Sequence, residues 1–221
     1  MALNLGQQIT TPAQPNLGTP TPAYDQGFLA TSFGGLNVYF SKLTALFAAI
    51  LGPRGSKYIN APYGAFQDGT DQTAANTTTA YAITFDTTDF SNGVTLSNSS
   101  RLNVSQAGIY DIQFSIQFKN TTNDTQDVDV WFRKNGTNID KSNSRFGMPS
   151  RKSSGDPSHV IAALNFFVNL ATNDYIEIMW RPSDVGVSLE HYEAGTTPTR
   201  PAVPSVIATI SFVSNLSVET A

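Results

Sequence analysis

Hydrophobic and polar positions alternate along much of the chain, with a period that differs between its two halves. Between Gly35 and Gly52, Leu36, Tyr39, Leu43, Leu46 and Ile50 recur at spacings of three and four, with Phe40, Phe47 and Leu51 beside them. That spacing predicts a short helix over 35–52, and Gly52-Pro53 ends it, because glycine suits the residue past a helix end and proline cannot continue one. From Ala80 onward the period is two. It is cleanest where Tyr110, Ile112, Phe114, Ile116 and Phe118 interleave with Asp111, Gln113, Ser115 and Gln117, a pattern that puts one face of a strand in a core and the other in water. Further strands are expected at 81–85, 94–96, 101–104, 128–134, 159–170, 175–181, 187–192 and 206–213. Turn signals such as Asn92-Gly93, Ala107-Gly108, Asn135-Gly136 and Asn173-Asp174 part them. Many short antiparallel strands at this spacing describe an all-β sandwich or jelly roll.

Two strands depart from simple alternation. Over 159–170 one face carries Val160, Ala162, Leu164, Phe166 and Val168, while the other carries Ile161, Ala163 and Phe167 in place of a polar row. Over 175–181 Ile176, Ile178 and Trp180 share one face, and Tyr175 and Met179 lie on the other. Each large apolar side chain left in water forgoes about 1.5–3 kcal/mol. A partner surface is therefore expected over Ile161, Ala163, Phe167, Tyr175 and Met179, and a second copy of the chain is its simplest source.

Outside these patterns the chain reads as connection. Residues 1–34 are rich in Thr, Gln and Gly, and Pro12, Pro15, Pro20 and Pro22 forbid helix and interrupt ladder pairing, so an extended arm is expected. Residues 53–79 read as a connector, and residues 80–221 as the β domain. The helix has three readings: a seam of Leu36, Tyr39, Leu43, Leu46 and Ile50 in a three-stranded coiled coil, a helix packed on its own body, and, less favoured because Lys42 is its only charge, a membrane-surface helix.

Composition narrows the function. The 221 residues hold 13 basic and 17 acidic side chains, a net charge of −4, which supplies no global positive field for nucleic acid. The absence of cysteine excludes disulfides, thiolate zinc sites and cysteine nucleophiles. The first residues lack the basic start and apolar run of an export signal, and no apolar stretch reaches membrane-spanning length, so no membrane partner is expected.

Candidate chemistry is sparse. His159 and His191 are the only histidines, and a hydrolase or metal site would require them to meet a carboxylate such as Asp156 or Glu190. They read more simply as strand-edge residues. Asp86 with Asp89, and Asp124 with Asp127 and Asp129, lack calcium-loop spacing and read as solvated turn carboxylates. Lys141, Arg145, Arg151 and Lys152 lie within one polar stretch, 140–158, and are candidate contacts for an anionic surface, a protein or a polysaccharide. No catalytic residue, metal or cofactor is expected.

Gly108-Ile109-Tyr110-Asp111-Ile112 resembles the glycine-tyrosine signature of the complement-type globular head and tumour-necrosis-factor-like jelly-roll superfamily, with Ile112 at a position that is usually Phe. Trp131-Phe132-Arg133-Lys134-Asn135-Gly136 and Asn173-Asp174-Tyr175-Ile176-Glu177-Ile178 are similar to two further strands of that family. The resemblance spans roughly 80–214 and implies a ten-stranded jelly roll trimerised about a three-fold axis, with the apolar residues above at the trimer interface. The stretch Tyr63-Gly64-Ala65-Phe66-Gln67-Asp68-Gly69-Thr70-Asp71-Gln72-Thr73, with 80–94, resembles virion structural proteins of tailed bacteriophages, particularly marine ones. It implies a location on the virion after assembly in the host cytoplasm, with other virion proteins as partners. The leading expectation is a trimeric capsid decoration or cement protein attached through its arm; the alternative is a tail fibre or appendage tip that binds a host glycan.

Overall fold

A computed structural model describes residue 13, residues 26–51 with side chains up to residue 47, and residues 61–214. Its contacts divide the chain into two units, Met1–Asn60 and Ala61–Ala221.

The first unit contributes helix α1, Gln26–Leu51, 26 residues long. It begins well before Gly35, so the arm does not extend to residue 34. The three-four spacing of the seam continues upstream through Ser32 and Leu29, and Gly34-Gly35, which reads as a boundary in sequence, sits inside the helix. An interior glycine costs about 1 kcal/mol relative to alanine, and the surrounding helix-compatible residues outweigh it. Leu36, Tyr39, Leu43 and Leu46 are half-buried, whereas Phe33, Val38, Phe40 and Phe47 are exposed. The side chain of Ile50 and the prolines at 12, 15, 20 and 22 lie outside the described residues. Among the described residues no helix is long and apolar enough to cross a membrane.

The second unit is an all-β antiparallel sandwich. In chain order its strands are β1 (Tyr63–Asp68), β2 (Gln72–Thr73), β3 (Tyr81–Ala82), β4 (Thr87–Asn92), β5 (Val94–Ser97), β6 (Arg101–Val104), β7 (Gly108–Asn120) and β8 (Gln126–Lys134). There follow β9 (Thr137–Asn138), β10 (Ser144–Met148), β11 (Ser158–Leu170), β12 (Tyr175–Pro182), β13 (Val187–Leu189), β14 (Gly195–Thr196), β15 (Thr199–Arg200) and β16 (Val206–Ser214). The body thus starts before residue 80: β1 pairs with β16 on one side and β4 on the other, inside what reads as connector. The reason is that β1 alternates poorly, Gly64, Ala65 and Phe66 all being buried, so its sequence shows no period of two.

One sheet runs β2-β13-β7-β16-β1-β4 with β11 also on β7, and the other runs β10-β8-β12-β6-β5 with β3 on β12 and β9 on β8. β7 pairs with β16 through Ile116 and with β13 through Asn120, while β11 pairs with it along its whole length, from Ser158 opposite Asn120 to Leu170 opposite Gly108. Among the described residues β7 is the one strand partner of β11, which leaves the other side of this 13-residue strand as a sheet edge.

The core lies between the sheets. Tyr110, Ile112, Phe114, Ile116 and Phe118 of β7 meet Val130, Phe132, Ile178 and Trp180 of the facing sheet, with ring contacts from Phe114 to Phe132 and from Phe118 to Trp180. Two glycines are dictated by geometry. Gly136 has φ +82 beside Asn135 at φ +49, the two positive values that a tight β8–β9 hairpin demands. Gly108 has positions on Phe212 and the Ser214 carbonyl within 2.3 and 2.6 Å of where a Cβ would stand, so only glycine lets β7 start there.

Candidate functional site

The outward face of β11 carries Ile161 at 61% and Phe167 at 56% exposure, with Ala163 exposed between them. Their register neighbours on β7 are Gln117, Ser115 and Asp111, and Ile207 of β16 stands exposed across Ser115. An outward apolar row on a long edge strand combines unpaired backbone with unburied side chains, the combination through which chains associate.

Tyr175 and Met179 do not belong to this row. They sit on β12, in the middle of the other sheet, whose outer face points away from that of β11. Met179 is buried at 1% within its own chain, and Tyr175 is half-buried with the Arg101 guanidinium 4.4 Å above its ring. Period-two reading places residues on a face of a strand but does not say which faces the fold covers. Only three of the five expected interface residues, Ile161, Ala163 and Phe167, therefore share one exposed surface.

At the start of β11 the histidines meet carboxylates after all. His159 Nε2 lies 2.8 Å from Glu190 Oε2, the Tyr192 hydroxyl donates to the same oxygen at 2.6 Å, and Lys119 Nζ sits 2.7 Å from Glu190 Oε1. His191 Nδ1 is 2.7 Å from Asp71 Oδ1, and its backbone N–H donates to that oxygen. The network ties β7, β11 and the segment after β13 to the loop before β2. Burial first, then the hydrogen bond and charge of Glu190, push the Tyr192 phenol up to about 12. For Glu190, burial alone would raise the pKa, but hydrogen bonds from Lys119, Tyr192 and His159 outweigh it and hold the carboxyl below its ordinary value. Among the described residues no group of His, Cys, Asp and Glu is arranged to hold a metal ion.

The four cations of the 140–158 stretch separate. Part of that stretch is strand, β10, paired to β8. Lys141 and Arg145 line an open cleft of about 600 Å³ with Asp129, Trp131, Asn138 and Arg181. Arg151 and Lys152 are not among its lining residues; Lys152 makes an exposed pair with Asp156 at 3.6 Å. In the cleft Asp129 receives Arg145 Nε at 2.9 Å and Arg181 Nη2 at 3.4 Å, and Trp131 Nε1 donates to Asn138 Oδ1 at 2.8 Å. Burial would raise the pKa of Asp129, but the hydrogen bond and charge of Arg145, with Asn143 and Arg181, set it below the ordinary carboxylate value. Trp131 and Arg181 come from outward positions of central strands with no sequence pattern of their own. Only the fold puts them beside Lys141 and Arg145.

A second polar centre also escaped sequence reading. Glu177, 3% exposed on the outer face of β12, takes Arg133 Nη2 at 2.9 Å, Arg101 Nε at 3.4 Å and the Ser100 hydroxyl at 3.1 Å. Cross-strand register places the cation of β8 opposite it, Arg133 against Glu177. The chain matches no family model and no curated protein.

Proposed function

We propose that this chain is a non-enzymatic structural protein of a tailed-phage particle, a homotrimer that decorates or cements the capsid and is anchored by its N-terminal arm. The observation that carries the reading is the exposed row Ile161, Ala163 and Phe167 on the β11 edge, a surface that a second copy of the same chain covers at least cost. The strand orders β4-β1-β16-β7-β11 and β5-β6-β12-β8-β10, with successive strands passing between sheets, support the jelly-roll resemblance from which the number three comes. The uncharged three-four seam of α1, from Leu36 to Leu46, supports association through a second element. Sedimentation of the purified chain tests the trimer, and imaging of particles with and without it tests its place on the shell. A stable monomer, or particles with the protein on the tail alone, would refute this reading.

A second reading has a specific observation behind it. The open, cation-bearing cleft at Trp131 suits a tail appendage tip that holds a host surface glycan.

A further inference from the structure

The geometry points to the Trp131 cleft as a binding site for an acidic saccharide, with the sugar ring laid on the indole and its carboxylate held by Lys141 and Arg145. This inference deepens the glycan-binding reading, and it is tested on isolated protein so that it stands or falls independently of where on a particle the chain sits.

Three side chains carry it. Trp131 projects from the outer face of β8, half-exposed, and its N–H is already committed to Asn138, so the indole plane is fixed before any ligand arrives. A preset aromatic plane is a surface for the C–H face of a pyranose and costs little entropy on binding. The cations are asymmetrically engaged. Arg145 uses Nε and Nη2 on Asp129 while its side chain, in the lining of the cleft, stays 61% exposed, which leaves further N–H donors of its fork for a ligand. Lys141 makes no ion pair among the described residues, stands at φ +58 in the turn between β9 and β10, and is exposed in the lining of the cleft.

Charge selects the ligand class. Three cations, Lys141, Arg145 and Arg181, line the cleft against two carboxylates, Asp129 and Asp140, so its lining is positive on a chain of net charge −4. Asp129 is already taken by Arg145 and Arg181, and the exposed carboxylate of Asp140 opposes a backbone with a charge on every unit more than a saccharide with its carboxylates spaced apart by neutral hydroxyls. The cleft is open and shallow, fitting a surface-borne polymer and not an enclosed small molecule.

The test is tryptophan fluorescence of the full chain, since Trp180 is buried in the core and Trp131 alone lies in the cleft. Probes are a glucuronate-N-acetylglucosamine hexasaccharide, an α2,8-linked sialic acid hexamer, the carboxyl-reduced form of each, inorganic phosphate and a short DNA duplex. At least one acidic sugar is expected to bind and shift the emission, its reduced form to bind about tenfold more weakly, and Lys141→Ser and Arg145→Ser each to weaken it about tenfold. Trp131→Ala, which lacks the reporting fluorophore, is read by isothermal titration calorimetry and is expected to abolish binding; the exposed Lys141→Ser keeps the test open should that variant not fold. Failure of both acidic sugars to bind at millimolar concentration, equal binding of the reduced forms, displacement by equimolar phosphate, or DNA binding as tightly as sugar would each overturn the inference.

Discussion

The ring of Phe166 stacks on the ring of Phe132 with centroids 4.8 Å apart and planes 19° from parallel. Phe166 belongs to the edge strand β11 and Phe132 to the opposite sheet, so the stack helps hold the edge strand against the core. The next residue, Phe167, points the other way into solvent. Neighbouring phenylalanines thus have opposite duties. Phe166→Ala is expected to destabilise the folded chain by about 3 kcal/mol, the low end for such a truncation because the ring is half-buried. Phe167→Ala should change stability by less than about 0.5 kcal/mol in the monomer. Urea denaturation of both variants, at a concentration that keeps the chain monomeric, distinguishes them; equal losses would mean that β11 is not held as described.

Association should respond in the reverse order. If Ile161, Ala163 and Phe167 face a second copy, Phe167→Asp places a charge in an apolar contact and is expected to convert trimer to monomer at micromolar concentration, while Met179→Leu, buried inside its own chain, leaves the oligomer unchanged. Sedimentation velocity reads both. A trimer indifferent to Phe167→Asp places the interface elsewhere.

Acid should weaken the β12 ion cluster. Burial alone would raise the Glu177 pKa, but hydrogen bonds from Arg133 and Ser100 and the charges of Arg133 and Arg101 outweigh it and lower the value below 4.5. A depressed folded pKa means stability that is present above the unfolded value and lost as pH falls through the folded one. Glu177→Gln is expected to cost about 1–2 kcal/mol at pH 7, since it removes the charge-assisted hydrogen bonds of Arg133 and Arg101 while both guanidiniums, 27% and 37% exposed, keep part of their hydration, and to flatten the stability curve below about pH 4.5. Chemical denaturation between pH 3 and 7 checks both effects; a variant that is as acid-sensitive as the parent would sink the assignment.

The Asp71–His191 tie should have a bounded pH range. The hydrogen bond to Asp71 raises the His191 pKa above 6.5 against the opposing effect of desolvation, with the charges of Asp71 and Glu193 adding to it. Burial would raise Asp71, but hydrogen bonds from the His191 backbone and ring, with Lys119, lower it below 3.8. A raised histidine contributes stability that is complete below its unfolded pKa and fades as pH rises through the folded one; a lowered aspartate contributes above its unfolded pKa and fades on acidification. The tie is therefore at full strength between about pH 4 and 6.5. NMR titration should find His191 above 6.5 in the parent and near 6.5 in Asp71→Asn; identical values in both would refute the pairing.

Removal of residues 1–60 should leave the sandwich folded, because residues 61–221 form a unit of their own and, among the described residues, its first strand, β1, begins at Tyr63. A cut at Gly69 deletes β1 from between β16 and β4 and should not fold. Circular dichroism and thermal melting of the two truncations decide this. In the proposed function the chain lacking residues 1–60 also loses attachment to particles, and undiminished attachment would place the contact in the sandwich.

Where a residue's neighbours in sequence determine its state, the sequence alone was enough. Alternation in β7 needs only one buried and one wet face, so Ile112, Phe114 and Ile116 were readable as core, and Asn135-Gly136 as a hairpin, because positive φ is a local property. The outward apolar row of β11 was readable for the same reason. Contacts between distant segments were not. Helix α1 runs through Gly34-Gly35 because propensity is a weak local term, and β1 joins the sheet because β16 and β4 flank it, not because of its own pattern. Met179 and Tyr175 read like Ile161 and Phe167, yet one pair is covered or half-covered by its own chain while the other is bare, a distinction set by which sheet each strand enters. The meeting of His159 with Glu190, of His191 with Asp71, and of Trp131, Arg145 and Arg181 around one cleft depends on register between strands far apart in the chain. Single-chain periodicity carries no information about that register, so only the tertiary structure decided it.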